Sequence, residues 1–424
     1  MKPAKDEASD RMFRRPFRLL NRTQHYDWGT KNDDAFIPHL TGSPVVRDLP
    51  YAELWIGAHP SAPSEIVLRG RGTPLNMVIR DFRLEILGEE VARRFDGKLP
   101  FLLKVLSAAR ALSIQAHPNR EQARKLHSTD PAHYPDDNHK PEIAIALDSL
   151  TAIAGFRPAK DIAAALRRFP ELDEIAGSEL AERVRSARSE SGLVPSLKLL
   201  YGAIMRRAED EAELTRVIPA IVDRLSKLKD PVPEEALFVG NYGLYGADVG
   251  LFSFLFFNLI QLKPGQAIFT DAGVPHAYLR GNIVECMANS DNVVRAGLTG
   301  KFRDVGTLLE ILTYRFAEYP VINREQKPDG VVYHTGAGEF EITAYQKEPG
   351  FDALFDSGGG PAVVLITGGS ARVQWEEDGE WRSKEFATGE SFLVPAILSR
   401  WRMSAREKAG FYCVRIPLNG TMFH

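Results

Sequence analysis

Pro100-Phe101-Leu102-Leu103-Lys104-Val105-Leu106 is a short apolar run bounded by turn residues, and it reads as a β-strand. Glu142-Ile143-Ala144-Ile145-Ala146-Leu147 repeats that character, so the chain to about residue 155 is read as strands and turns. From about Asp161 to Lys229 the composition shifts to Ala, Leu, Arg and Glu, and Leu214, Val217, Ile218, Ile221, Val222 and Leu225 fall at helical spacing. That predicts an all-helical segment, with Pro219 expected to kink or divide its last helix and Lys229-Asp230-Pro231-Val232-Pro233 acting as a breaker. The apolar, aromatic stretch from Leu251 to Leu279, interrupted by the turn Lys263-Pro264-Gly265-Gln266, predicts a return to β-structure. From Glu339 onward, runs such as Val363-Val364-Leu365-Ile366 and Ser391-Phe392-Leu393-Val394 alternate with Gly clusters, the pattern of an antiparallel sandwich or barrel.

The β-segments contain one internal similarity. Gly265-Gln266-Ala267-Ile268-Phe269 and Gly389-Glu390-Ser391-Phe392-Leu393 are both turn-then-strand pieces, offset by 124 positions, and the same offset places Arg400 opposite His276. Two copies of one β-unit would explain this, as would the recurrence of such units in every β fold.

With 424 residues and 47.2 kDa, the chain corresponds to about two to three domains. Its 44% hydrophobic and 26% charged residues exclude the composition of a disordered protein. The formal net charge is −3, so no global basic excess points to nucleic acid or an anionic membrane, and any anion site must be local. The basic start from Arg11 through Arg18 leads into no signal-peptide core, and no apolar run of about 20 residues occurs anywhere, which points to the cytoplasm. Two cysteines, Cys286 and Cys413, are too few for a disulfide framework and suit a reducing compartment, while leaving one disulfide formally open.

In Ala111-Leu112-Ser113-Ile114-Gln115-Ala116-His117-Pro118-Asn119 a strand would place Ser113, Gln115 and His117 on one face. A solvated surface strand alternates in the same way. His139-Lys140-Pro141-Glu142 and Val274-Pro275-His276-Ala277-Tyr278 add a carboxylate and another imidazole in β context. Two imidazoles and a carboxylate suit zinc or another divalent first-row metal with an open position; an amide is a less usual ligand, and spacing alone does not nominate Gln115. Lys104, Lys140, Arg295 and Lys301 lie beside these motifs, with the polar loop Asp291-Asn292-Val293-Val294-Arg295-Ala296-Gly297-Leu298-Thr299. Such cations suit a phosphate, although long cations also cap surface strands. Neither GxxxxGK[ST] nor GxGxxG is present, which disfavours a nucleotide-binding domain.

Seven ordered blocks resemble the type I mannose-6-phosphate isomerase (phosphomannose isomerase) family: Gln24 to Gly29, Tyr51 to Pro60, Pro100 to Leu106, Ser113 to Asn119, Asn138 to Glu142, Val274 to Leu279 and Asp291 to Thr299. The final 90 or so residues match only loosely. The resemblance implies a zinc-dependent aldose-ketose isomerase that interconverts mannose 6-phosphate and fructose 6-phosphate through an enediolate. It also implies a mainly β fold of cupin-type jelly rolls with a helical insertion. The expected layout is a catalytic cupin domain over residues 1–155 and 238–335, an all-helical insertion over 156–237 and a C-terminal jelly roll over 336–424. One Zn²⁺ per chain is expected on Gln115, His117, Glu142 and His276, and Arg400 would then mark the C-terminal jelly roll as a metal-free copy. Arg295 is expected to share the charge that develops on the enediolate. Glu285, His139 and Lys140 are candidate general bases, Glu285 being preferred with Lys140 as its partner. Lys104, Ser113 and Lys301 are the expected phosphate contacts, with Tyr278 and Asp291 as further substrate contacts. The stretch before Phe17 is expected to be a flexible tail, and His59, His127 and His133 to be structural. The resemblance leans towards a monomer, and it leaves open whether the reaction feeds GDP-mannose synthesis or consumes mannose. Two competing readings stand beside it: an iron-dependent cupin oxygenase, and a sugar-phosphate sensor without turnover.

Overall fold

The computed structural model describes residues 10–187, 190–207, 210–322 and 330–418. Three large sheets and a helical segment make up the chain. A ten-stranded sheet contains Phe101–Ala108, paired antiparallel to Glu53–Gly57 on one side and to the long strand His276–Ala288 on the other. Along Phe101–Ala108 the side chains alternate between two cores. Phe101, Leu103 and Val105 pack outward with Ile143, Ile145 and Val284, whereas Leu106 and Ala108 turn to the inner face with Ala144, Ala146, Ala152, Ala154 and Tyr278.

The outer core is shared with a six-stranded sheet that supplies Val363, Leu365, Leu393 and Val414. The opposite face of that sheet, with Val364, Ile366, Phe392 and Phe411, packs on a four-stranded sheet carrying Val373, Phe386, Trp401 and Met403. Both faces of the six-stranded sheet are thus buried, which accounts for the continuously apolar run Ala362 to Ile366. Cys286 and Cys413 are both buried and free, so the disulfide left open by the sequence does not form.

Three expectations are corrected here. The stretch before Phe17 is not a loose tail over its described part: Asp10 to Phe13 is helical, Phe13 is fully buried against the rings of Phe17 and Phe82, and Phe17–Leu19 pairs with Ser391–Val394. Pro219 does not divide its helix, which runs unbroken over Glu211–Leu225 with Asp210 capping its first turn. Helical structure also outlasts the expected boundary at residue 237, continuing through Pro233–Tyr245, a short 3-10 turn and Ser253–Phe256. Phe238, Phe252, Phe254 and Phe256 are there fully or nearly fully buried in the helical core, which also receives Ile114, Ala116 and Phe257 from the ten-stranded sheet. Phe257–Leu262 then begins the return to β-structure. Among the described residues no helix is long and apolar enough to cross a membrane.

Candidate active site

Two rows of side chains cross the inner face of the ten-stranded sheet. In the first, Gln115 of Ile114–Ala116 stands directly opposite His276 on one neighbour and Arg295 on the other. In the second, Lys104 stands opposite Glu285 on one side and Trp55 on the other. Glu142 opens Glu142–Ala146, as expected of a carboxylate at a strand start, and His117 follows the end of Ile114–Ala116. The period of two that buries Ile114 and Ala116 among the helices therefore turns Gln115 towards the sheet's inner face.

His117, Glu142 and His276 are fully or almost fully buried, and one ligand-type atom from each lies within 4.8 Å of the others. His117 Nε2 is 3.6 Å from Glu142 Oε2, and His276 Nε2 is 2.8 Å from Glu142 Oε1. Even so, His117 Nε2 and Glu142 Oε1 have no partner aligned for a hydrogen bond. Buried polar atoms are rarely left unpaired, and converging orphans of this type fit a metal ion. The far nitrogens are tied down: His117 Nδ1 lies 2.8 Å from the Asn292 carbonyl and His276 Nδ1 2.9 Å from the Val274 carbonyl. A carbonyl can only accept, so each ring carries its proton on Nδ1 and presents the Nε2 lone pair to the site. Burial pushes the His117 imidazole down to about 4, keeping it neutral for ligation at neutral pH. For His276 burial is the largest single effect and acts in the same direction, but the Glu142 charge together with hydrogen bonding to Glu142 and the Val274 carbonyl outweighs it and raises the imidazole. Gln115 Nε2 stands 3.4 Å from His276 Nε2, and turning that amide over presents its carbonyl oxygen instead.

A cavity of about 400 Å³ opens in front of this group. Gln115, Glu142, Lys104, Lys140, Glu285, Tyr278, Ser113, Asp291, Arg295 and Lys301 all line it. Five cations line it; Arg110 pairs with Asp27, and the other four differ in setting. Lys104 is buried between two carboxylates, 3.3 Å from Glu53 and 3.2 Å from Glu285; burial disfavours its charge, but the two carboxylates more than compensate and raise its pKa. Lys140 is also buried, yet it makes no ion pair among the described residues. Arg295 likewise has no ion-pair partner there, and partial burial lowers its pKa. Lys301 is exposed, its ammonium 5.5 Å from the Tyr26 ring. Burial pushes the Glu285 carboxyl up, with the Lys104 charge pulling the other way. Burial, reinforced by the charges of Glu142 and Glu285, raises the Tyr278 hydroxyl.

Two expected roles do not fit this arrangement. His139 is absent from the cavity lining; its Nε2 is 2.8 Å from Glu339, which Arg120 also holds at 2.6 Å. Lys104 lines the cavity, but a phosphate brought to it would meet the two carboxylates it already neutralises. Sequence reasoning assigned no role to Glu53, which accepts a 2.6 Å hydrogen bond from Trp55 Nε1 besides pairing with Lys104. An acidic residue opening the otherwise apolar strand Glu53–Gly57 was the available signal. His59, read as structural, is buried and reaches the cavity-lining Asp291 at 3.4 Å. His127 bonds the Tyr134 carbonyl and His133 pairs with Asp130, both away from the cavity.

The family model for phosphomannose isomerase type I, catalytic domain, matches residues 16–159. Mannose-6-phosphate isomerase of Aspergillus fumigatus is 37% identical over 401 residues, covering 84% of this chain and 87% of that protein. Among solved structures, a variant of phosphomannose isomerase from Salmonella typhimurium superposes with a TM-score of 0.84 at 29% identity, over 95% of this chain and all of that one. A mannose 6-phosphate isomerase bound with zinc and yttrium gives a TM-score of 0.81 at the same identity and coverage. The chain belongs to the type I phosphomannose isomerase family.

Proposed function

We propose that the chain interconverts mannose 6-phosphate and fructose 6-phosphate. The reading rests on one observation: a single cavity in front of the His117, Glu142 and His276 group also holds a buried carboxylate with a raised pKa and two cations that have no ion-pair partner among the described residues. We assign His117, Glu142, His276 and Gln115 to one zinc ion, which when bound supplies Lewis-acid polarisation of the carbonyl or its neighbouring hydroxyl.

Moving the carbonyl from C1 to C2 requires a proton to leave C2 and return to C1 while the hydroxyl proton passes from O2 to O1. Glu285 carries the carbon-bound proton. Its raised pKa makes it a better base than an ordinary glutamate, while the Lys104 ammonium at 3.2 Å favours its ionised form. The enediolate between the two transfers is anionic; Arg295 and Lys140, both without a carboxylate partner among the described residues, face that charge. Lys301 and Ser113, with Arg295, hold the phosphate, with Tyr278 and Asp291 as hydroxyl contacts. Lys104, expected to bind phosphate, is reassigned to the proton-transfer group.

The inner-face strands and those of the C-terminal sheets form two jelly rolls of cupin type with the helical segment inserted in the first, and the C-terminal roll carries no metal. The oxygenase and sensor readings gain no comparable support, because neither uses a base placed beside a cation cluster. Mannose 6-phosphate and unphosphorylated mannose, assayed side by side on the zinc-loaded chain, test the reading. Ketose formed only from the phosphate is expected; no turnover of either sugar would overturn it.

A further inference from the structure

One carboxylate outside the cavity lining described above organises the peptide on which both the metal group and the substrate contacts depend. Asp136 Oδ1 accepts hydrogen bonds from the Asn138 backbone N–H at 3.0 Å, the Ser290 hydroxyl at 2.8 Å and the Asn292 side-chain amide at 3.1 Å. Its Oδ2 accepts the Asp291 backbone N–H at 2.7 Å. Four donors thus converge on a single side chain, three of them from the consecutive residues 290–292. The Asn292 amide also donates to the Asp136 carbonyl at 2.7 Å and the Asn138 carbonyl at 3.0 Å, and Asn292 is fully buried.

Two groups of the site hang from this short peptide in opposite directions. The Asn292 carbonyl is the acceptor for His117 Nδ1, 175 residues away in sequence. His276 differs: its acceptor, Val274, is two residues away and is positioned by the local chain itself. The next residue back, Asp291, lines the cavity, and His59 Nε2 meets its carboxylate at 3.4 Å. His59 Nδ1 accepts from the Ser61 N–H at 3.3 Å, which leaves the ring proton on Nε2, facing Asp291.

We infer that Asp136 is a positioning residue that sets the ring orientation of His117 through Asn292 and the direction of the Asp291 carboxylate. The inference deepens the proposed function and rests on its assignment of His117 and Asp291. An Asn at this position keeps the volume but turns one acceptor into a donor facing N–H or O–H groups, so at least one of the four bonds is lost.

The test is zinc affinity of the full chain, read by competition with a chromophoric chelator in the absence of substrate. Asp136→Asn is expected to weaken zinc binding by about 10–100-fold, the range for loss of an outer partner of a ligating histidine, and, with zinc saturating, to raise KM for mannose 6-phosphate more than it lowers kcat. Asp137→Asn, the same charge change on the exposed neighbour, is expected to leave zinc affinity within about twofold. Ser290→Ala removes one donor to Asp136 together with the acceptor of the Asn292 backbone N–H, and covers the case in which Asp136→Asn does not fold; it should weaken zinc by about threefold or more. A lowered melting temperature with unchanged zinc affinity would overturn the inference, as would unchanged affinity in folded Ser290→Ala. A parent chain that binds zinc but turns over no sugar defeats the proposed function alone, since the affinity comparison uses no substrate; a parent that binds no zinc defeats both.

Discussion

Two strand pairs 124 residues apart have the same backbone plan and opposite contents. Gly265, at φ +83°, leads into Ala267–Thr270, and His276 opens the strand that follows. Gly389, also at φ +83°, leads into Ser391–Val394, and Arg400 opens Arg400–Ala405. A positive φ of this size favours glycine at both turns; at Gly389 a Cβ would also lie 2.2 Å from the Leu40 carbonyl oxygen. Beyond the turns the likeness ends. Around His276 the sheet buries Lys104, Glu53, Glu142, Glu285 and His117, while around Arg400–Ala405 the interior is Phe392, Trp401, Met403 and Phe411. Arg400 itself is 73% exposed and lies 3.9 Å from Asp356. Among the described residues His117, Glu142 and His276 form the one group of this kind that could hold a metal. Burying charges carries a desolvation cost that pairing offsets only in part, so the first region keeps costly groups where the second has apolar packing.

Substitutions can break this contrast from either side. Glu142→Ala should remove bound zinc and leave no measurable turnover, as shown by metal analysis alongside the isomerase assay. Glu285→Gln is expected to retain zinc and lose about 10²–10⁴-fold in kcat, the usual range for a general base; turnover near the parent's would reassign the proton transfer. In the apolar region, Trp401→Ala should cost about 3–5 kcal/mol of folding stability by denaturant titration, with kcat/KM of the folded protein unchanged. pH separates the regions more finely. A base must be ionised to act, so kcat/KM should fall on acidification through an apparent pKa above the ordinary glutamate value of about 4.3, because burial raises Glu285; an acid limb at or below that value would contradict the assignment. The smallest effect belongs to Arg400→His, which restores the imidazole but none of its companions. It should change stability by no more than about 0.5 kcal/mol and bind no second zinc ion.

Much of the site could be read from the sequence, because ligand residue types recur at strand starts and alternate with core residues. Alternation separates Ser113, Gln115 and His117 from Ile114 and Ala116, and Glu142 stands at a strand start, but the assignment of Gln115, His117, Glu142 and His276 to one metal comes only from the resemblance. What the sequence could not show was set by contacts across the chain. Lys104 looks like any cation in an apolar strand until Glu53 and Glu285 arrive on neighbouring strands. His139 is one residue from the cavity-lining Lys140, yet Glu339, 200 residues away, holds it outside. Asp136 acquires its part only when residues 290–292 fold onto it. The helical segment was legible by period, but its end was not, since the phenylalanines from 238 to 256 satisfy a helical core as readily as a sheet.

The most direct measurement is fructose 6-phosphate formation from mannose 6-phosphate by the purified chain, before chelation, after chelation and again after zinc is restored. Turnover that disappears with the chelator and returns with zinc is the predicted result. Turnover unaffected by chelation, or none in the zinc-loaded chain, would contradict it.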